Sequence, residues 1–307
     1  MDIFLQQLIN GLTLGSIYAL VALGYTMVYG ILGLINFAHG EVVMVGALVA
    51  LMVIKALASL GLPGPIVVLI ALLVSALVCM ALGFTIERIA YRPLRKAPRL
   101  APLITAIGVS IVLQQMAMLI WGRNYHSIPS LLPSAPHEVL GASITELQLI
   151  IISVAGLTMA GLMALVNRTR LGRAMRATAE NPAIAGLMGV DANRIISLTF
   201  IIGSSLAALA GVLVSANYGI AHYQMGFMLG LKAFTAAVLG GIGNLAGAMV
   251  GGVLLGVIEA LGAGYIGDLT GGVLGSHYQD VFAFFVLITV LIFRPSGLMG
   301  EKVSERA

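Results

Sequence analysis

The chain has 307 residues, of which 60% are hydrophobic and 9% charged, with a formal net charge of +4 at pH 7. Soluble domains carry about 45–50% apolar and about 25% charged residues, so this composition excludes a water-coated globule and calls for lipid over much of the surface. The Lys and Arg residues sit mostly in short loops between apolar runs, which excludes a nucleic-acid binder and points to membrane orientation.

The opening stretch lacks a basic region ahead of its apolar run, and that run is too long for a secretory signal. It is read as a retained first span. A spanning helix needs about 20 mainly apolar residues, since about 1.5 Å of rise per residue must cross about 30 Å of hydrocarbon. Runs of that kind fall at 4–29, 36–58, 65–90, 100–121, 146–166, 195–216, 227–242, 245–266 and 279–293. They predict an all-α, polytopic transmembrane helical bundle, a single domain over 1–307, with roughly eight to ten crossings. The segments 36–58, which opens on polar residues, and 227–242, which is short and holds Lys232, are candidates for broken or re-entrant helices.

Basic loops set the orientation. Arg92, Arg95, Lys96 and Arg99 follow the third run. Arg168, Arg170, Arg173, Arg176 and Arg194 occupy a loop over 168–194, and Arg294, Lys302 and Arg306 lie in the tail. All three regions are expected on the cytoplasmic side. An even number of runs separates each from the next, as that requires. The Pro- and Ser-rich segment 122–145 then becomes an external loop, and the N-terminus lies outside.

Several classes of chemistry are missing. There is no Walker nucleotide loop and no Cys/His metal spacing. His39 and Glu41 are two residues apart and fall on different helix faces, so they do not make a catalytic couple. The chain is not expected to be an enzyme, nor to bind a metal or cofactor. The lone Cys79 forms no internal disulfide and behaves as a small core residue. Glycines cluster in "GYTMVYGILGLINFAHG" and "LGGIGNLAGAMVGGVLLG". The small-residue spacing of "GAMVG" fits close packing within the chain or, as a sharper reading, a subunit interface. The two clusters also form a weak internal echo, of the kind seen in transporters built from two halves.

The stretch "INFAHGEVVMVGALVAL" places Asn36, His39, Gly40 and Glu41 at the edge of an apolar run. Asn36 stands where a helix N-cap would stand, with Gly40 and Glu41 in the first turn. In a helix Asn36, His39 and Gly40 would share one face. These residues either cap a helix at the membrane edge or line a pathway, because ionisable groups inside spans tend to face a bundle interior or a wet cavity. Lys232 snorkels to the headgroups, pairs with Glu41 or Glu259, or faces a pathway, with Thr235 on the same segment. Glu87 and Arg88 read as a solvated ion pair. Gln114, Gln115, Asn217 and Glu259 read as groups that hydrogen-bond between helices.

The loop over 168–194 is the most informative segment. A helix is expected from Arg173 to Ala179, then a break at Glu180. Asn181 is placed as N-cap and Pro182 at N1 of a short helix reaching Met188 and ending at Gly189. Alone in water so short a helix is unstable, so it should dock, offering Ile184, Leu187 and Met188 to a groove on a partner or to this chain's own helix ends.

At this point the chain resembles a known family. The stretches "NGLTLGSIYALVALGYTMVYGILGLINFAHGEVVMVGA", "TRLGRAMRATAENPAIAGLMGVDANR", "LAALAGVLVSA", "KAFTAAVLGGIGNLAGAMVGG" and "FRPSGLMG" are similar to the permease subunits of ATP-binding-cassette importers for branched-chain amino acids, of the shorter high-affinity leucine/isoleucine/valine type. The resemblance implies a multi-pass protein of the bacterial inner membrane that moves hydrophobic amino acids by alternating access. Two cytoplasmic ATPase subunits would consume the ATP and grip a coupling helix, which maps onto Glu180, Asn181, Pro182, Ala185, Gly186 and Gly189. A second permease subunit would complete the pore, and a periplasmic binding protein would deliver the cargo. Asn36, His39, Gly40, Glu41, Lys232 and Thr235 become the pathway candidates. Other readings stay open: a secondary transporter driven by an ion gradient, with His39, Glu41 and Lys232 as relays; a related permease for urea or amides; and a passive pore or scaffold.

Overall fold

A computed structural model describes residues 2–95, 97–98, 100–139, 141–269 and 278–300. The basic residues Lys96, Arg99, Lys302 and Arg306 lie outside them. Among the described residues, seven helices are long and apolar enough to cross a membrane, and two shorter apolar helices cover Met225–Gly240 and Phe284–Phe293. They coincide with the runs read from the sequence. The chain is a polytopic helical membrane bundle. Its helices are α1 (Asp2–Leu32), α2 (His39–Leu57), α3 (Gly64–Ile86), α4 (Leu100–Trp121), α5 (Glu146–Arg168), α6 (Arg170–Glu180), α7 (Pro182–Leu187), α8 (Ala192–Tyr218), α9 (Met225–Gly240), α10 (Leu245–Leu269) and α11 (Gln279–Phe293).

The chain divides into two compact units, one formed by Met1–Thr26, Pro133–Met159 and Lys232–Ala307, the other by Met27–Leu132 and Ala160–Leu231. In the first unit, glycines let α1 and α10 touch backbone to backbone. A methyl group on Gly15 would lie 2.7 Å from the Val253 Cα, and one on Gly11 would lie 2.6 Å from the Val257 Cα. Gly252 and Gly256 face Ala19 and Gly15 in return. Lipid tails are as apolar as leucine, so such close packing, not hydrophobicity, holds membrane helices together. The "GAMVG" spacing is used the same way: Gly247 meets Gly240, and Gly251 meets Ala236 and Gly240. Within the chain these glycines serve close packing, as expected.

Part of the segment 122–145 is ordered as strands. β1 (His126–Ser127) pairs antiparallel with β4 (Ile220–Ala221), and β2 (Pro136–Val139) pairs antiparallel with β3 (Ala142–Thr145). The β2–β3 hairpin is pinned to α1 by Gln6. Its Oε1 accepts from the Ser143 amide at 2.8 Å, and its Nε2 donates to the Ser143 carbonyl at 3.0 Å.

The second unit is built on α2, α3 and α8, which pack on one another pairwise. Gly46 of α2 meets Ala208 of α8, Gly83 of α3 meets Ser204, and Gly211 meets Val43. Buried Ala50, Ile54, Val67, Ala71 and Val212 form one apolar cluster between these helices. Outward, α3 presents Ile66, Leu69, Leu73 and Leu77, and α4 presents Ile104, Ile107 and Ile111, all exposed. Leaving a leucine in water rather than burying it forfeits about 1.5–3 kcal/mol, so rows at helical spacing require hydrocarbon around them. Cys79 is buried in this unit and its thiol faces the Val42 carbonyl, a core role as expected.

Candidate functional site

The break between α1 and α2 starts at Gly33, whose φ of +62° turns the chain out of α1. The N-cap of α2 is Ala38 and makes no side-chain cap bond, which corrects the expectation for Asn36. Asn36 instead closes a turn two residues earlier, its Oδ1 accepting from the Ala38 amide at 3.1 Å and from the Tyr91 hydroxyl at 2.9 Å. The Asn36 carbonyl accepts from the His39 amide at 3.0 Å. Asn36 therefore precedes the helix and does not share a helical face with His39 and Gly40. The sequence could not show this, because the bond that decides it comes from Tyr91, 55 positions away.

Asn36, His39 and Glu41 are all buried. Gly40 crosses α9 at closest range: an added methyl would lie 2.8 Å from the Gly230 Cα. One on Gly226 would lie 2.6 Å from the Glu41 Oε2. The partner for which Gly40 leaves room is thus the Gly226/Gly230 pair, one helical turn apart, a small-residue spacing visible in "GFMLG" that had not been singled out. Glu41 is 1% exposed. Its Oε1 accepts from the Ser110 hydroxyl at 3.2 Å, and its Oε2 has no partner among the described residues. A carboxylate sealed with one neutral donor is costly.

Lys232 and Thr235 belong to the first unit. Lys232 Nζ lies 2.7 Å from Glu259 Oε1 and 2.7 Å from Asp280 Oδ1. The Tyr18 hydroxyl donates to Glu259 Oε2 at 2.9 Å, and the Lys232 ammonium sits 5.9 Å from the Tyr18 ring centroid. Of the placements open to Lys232, pairing with Glu259 is the one found. Its second carboxylate, Asp280, lies at the start of α11 and was not foreseen. Thr235 is buried one turn along from Lys232.

The segment after α5 folds by successive local caps. The Thr169 side chain accepts from the Gly172 amide and opens α6, earlier than the expected start at Arg173. Asn181 Oδ1 accepts from the amides of Ala183 and Ile184 at 3.0 and 3.1 Å, with Pro182 at N1 of α7. Gly189, at φ +84°, closes the turn. The Asp191 carboxylate, which sequence reasoning missed as a cap, opens α8 through the Asn193 and Arg194 amides. On α7 only Ala185 faces inward, at 4% exposure, while Ile184, Leu187 and Met188 are 58%, 87% and 82% exposed. A methyl on Gly186 would meet open space. The apolar face of α7 is not spent on this chain's own helix ends.

Glu87 is not a solvated partner of Arg88. It is fully buried and starts a π-helical turn, Glu87–Tyr91. Its carboxylate binds Arg92 at 2.9 Å, Arg95, and the Ser197 hydroxyl at 2.7 Å. Arg88 lies over the Phe84 ring, 5.7 Å from its centroid. Glu259 is the interhelical bonding group it was expected to be. Among the described residues, no side-chain hydrogen bond is found for Gln114, Gln115 or Asn217.

The comparisons with known proteins agree on one family. The family model described as branched-chain amino acid transport system / permease component matches residues 7–291. The high-affinity branched-chain amino acid transport system permease protein BraD of Pseudomonas aeruginosa is 51% identical over 308 residues, 99% of this chain and 98% of the relative. The permease protein of the same description, LivH of Escherichia coli, is 47% identical over 99% of this chain and 97% of its own length. The autoinducer 2 import system permease protein LsrC of an Enterobacter species is 30% identical over 91% of this chain and 78% of its own. No solved structure matches. With a family model spanning nearly all of its spans and relatives alike from end to end, this chain belongs to the branched-chain amino acid transport system permease family.

Proposed function

We propose that this chain is the membrane-spanning permease subunit of an ATP-driven importer that carries branched-chain amino acids across the bacterial inner membrane. The cargo follows from likeness: the relatives at 51% and 47% identity are named for branched-chain amino acids, whereas the one named for autoinducer 2 stands at 30%. The observation that carries the mechanism is α7, a short helix capped at its start whose apolar residues Ile184, Leu187 and Met188 face outward. Such a helix gains its stability from a partner, and methionine adapts to the groove that receives it. Two cytoplasmic ATPase subunits are the partners proposed for it, one on this chain and one on a second, homologous permease. A periplasmic amino-acid-binding protein delivers cargo on the opposite side, where segment 122–145 is placed.

In this reading the segment 168–194 is cytoplasmic and its coupling helix comprises Glu180, Asn181, Pro182, Ala185, Gly186 and Gly189. Ala185 anchors that helix inward, and the contact face is Ile184, Leu187 and Met188. Asn36, His39, Gly40 and Glu41 are pathway residues within their unit, and Lys232 and Thr235 within theirs. The pathway is apolar and weakly binding, so affinity resides in the delivery protein. Cassette contacts that differ between the two states drive alternating access.

The test is uptake of labelled leucine into proteoliposomes holding the full complex, with ATP on the cytoplasmic side and urea and amides as competitors. ATP-dependent uptake that competing urea leaves unchanged is expected. Uptake by this chain alone under an ion gradient would overturn the proposal.

A further inference from the structure

Resting on that reading, a line of polar contacts in the second unit joins the docking helix to the break before Glu41. The Val190 amide donates to the Ala185 carbonyl at 3.0 Å and holds α7 to the residue before the Asp191 cap of α8. In the first turn of α8, Asn193 Oδ1 accepts from Arg95 at 2.6 Å, and Ser197 bonds Glu87 one turn later. Arg95 and Arg92 both pair with Glu87, which opens the π-turn. That turn ends at Tyr91, whose ring packs on Phe200 of α8 with centroids 5.3 Å apart and whose hydroxyl holds Asn36. Asn36 in turn fixes the Ala38 amide at the entrance of α2.

We propose that Glu87 and the π-turn it opens are the positioning element that passes movement of α7 to the Asn36–Glu41 segment. Stability alone is a poor reason for a carboxylate buried against two guanidiniums, because desolvation offsets much of the attraction. What such a cluster supplies is direction, since its four side chains come from two stretches of chain, 87–95 and α8, and keep them in register. The π-turn supplies the alternative state that any transmission needs. It holds one residue more than an α-turn, and π-turns often mark functional sites. Closing it to α would rotate everything after it by about 100° and carry the Tyr91 hydroxyl off Asn36. Movement of α8 against Arg92 and Arg95 is then read out as making or breaking one bond at the start of α2.

The test uses the reconstituted complex with its ATPase subunits and delivery protein, comparing Tyr91→Phe and Glu87→Gln with the unaltered chain. Tyr91→Phe keeps the ring on Phe200 and removes the hydroxyl that bonds Asn36. It is expected to retain ATPase subunits on purification and cassette hydrolysis, and to take up roughly tenfold less leucine per ATP consumed, a single hydrogen bond being worth about that factor. Glu87→Gln should lose coupling in the same sense. Unchanged uptake per ATP in Tyr91→Phe, or a fall in uptake matched by an equal fall in hydrolysis, would overturn the proposal. Absence of ATP-dependent uptake in the unaltered complex would overturn the functional reading, and this inference with it.

Discussion

Glu259 and Glu41 are both carboxylates sealed among helices, one in each unit, and they are satisfied in opposite ways. Glu259 is held through both oxygens, by Lys232 and by the Tyr18 hydroxyl, and Asp280 adds a second negative partner for the same ammonium. Glu41 has a serine hydroxyl on one oxygen and nothing among the described residues on the other. Inside a membrane an unpaired charge is costly, so Glu259 and Asp280 depend on Lys232 to stay there as carboxylates. Glu41 joins α2 to α4 through the Ser110 hydroxyl alone, and its second oxygen lies against Gly226. The difference is one of pairing: Glu259 is tied to a cation, whereas Glu41 has a hydroxyl alone.

Lys232→Met should give the largest effect, because it strands Glu259 and Asp280 without their cation. Breaking a buried pair from one side costs about 3–5 kcal/mol, visible as a large fall in thermal stability in detergent. Adding Glu259→Gln to that variant should recover part of the loss, since the double change no longer leaves a lone charge at that oxygen. A double variant no more stable than the single one would show that Lys232 acts through something other than this pair. Next, Gly15→Ala should cost about 1–3 kcal/mol by forcing α1 from α10, testing whether glycine contacts rival the ion cluster in holding the first unit. Glu41→Gln should cost less than about 1 kcal/mol, because the amide keeps the Ser110 contact, while uptake falls. Equal destabilisation by Glu41→Gln and Lys232→Met would erase the distinction. The smallest stability effect belongs to Leu187→Asp with Met188→Asp, within about 0.5 kcal/mol as for exposed sites. Copurification of the ATPase subunits should nevertheless be lost.

Much of the candidate site was legible because its bonds are local. Asn181 caps two and three residues ahead and Pro182 follows it, so α7 could be placed within a residue of its observed end. The residues of its apolar face followed from the same spacing, and the tertiary structure decided that they point outward. Asn36 was misplaced as a cap because its strongest competitor, Tyr91, lies on another segment, and hydrogen bonds to a distant hydroxyl leave no periodic trace. Glu87 was assigned to Arg88 by adjacency, whereas the π-turn carries Arg92 and Arg95 round to it. Asp280 went unnoticed because a carboxylate at the head of an apolar run is as well suited to solvent as to a buried lysine.

The sequence by itself determined where the apolar spans lie and how α7 begins. Hydrocarbon thickness sets the length of an apolar run, and caps act within three residues, so both are written in neighbouring letters. Only the tertiary structure decided which charge meets which. The Tyr18–Glu259 bond spans 241 positions and the Ser197–Glu87 bond spans 110. A buried charge accepts whichever partner packing brings within about 3 Å, and that packing rests on glycines whose contacts appear only once the helices have met.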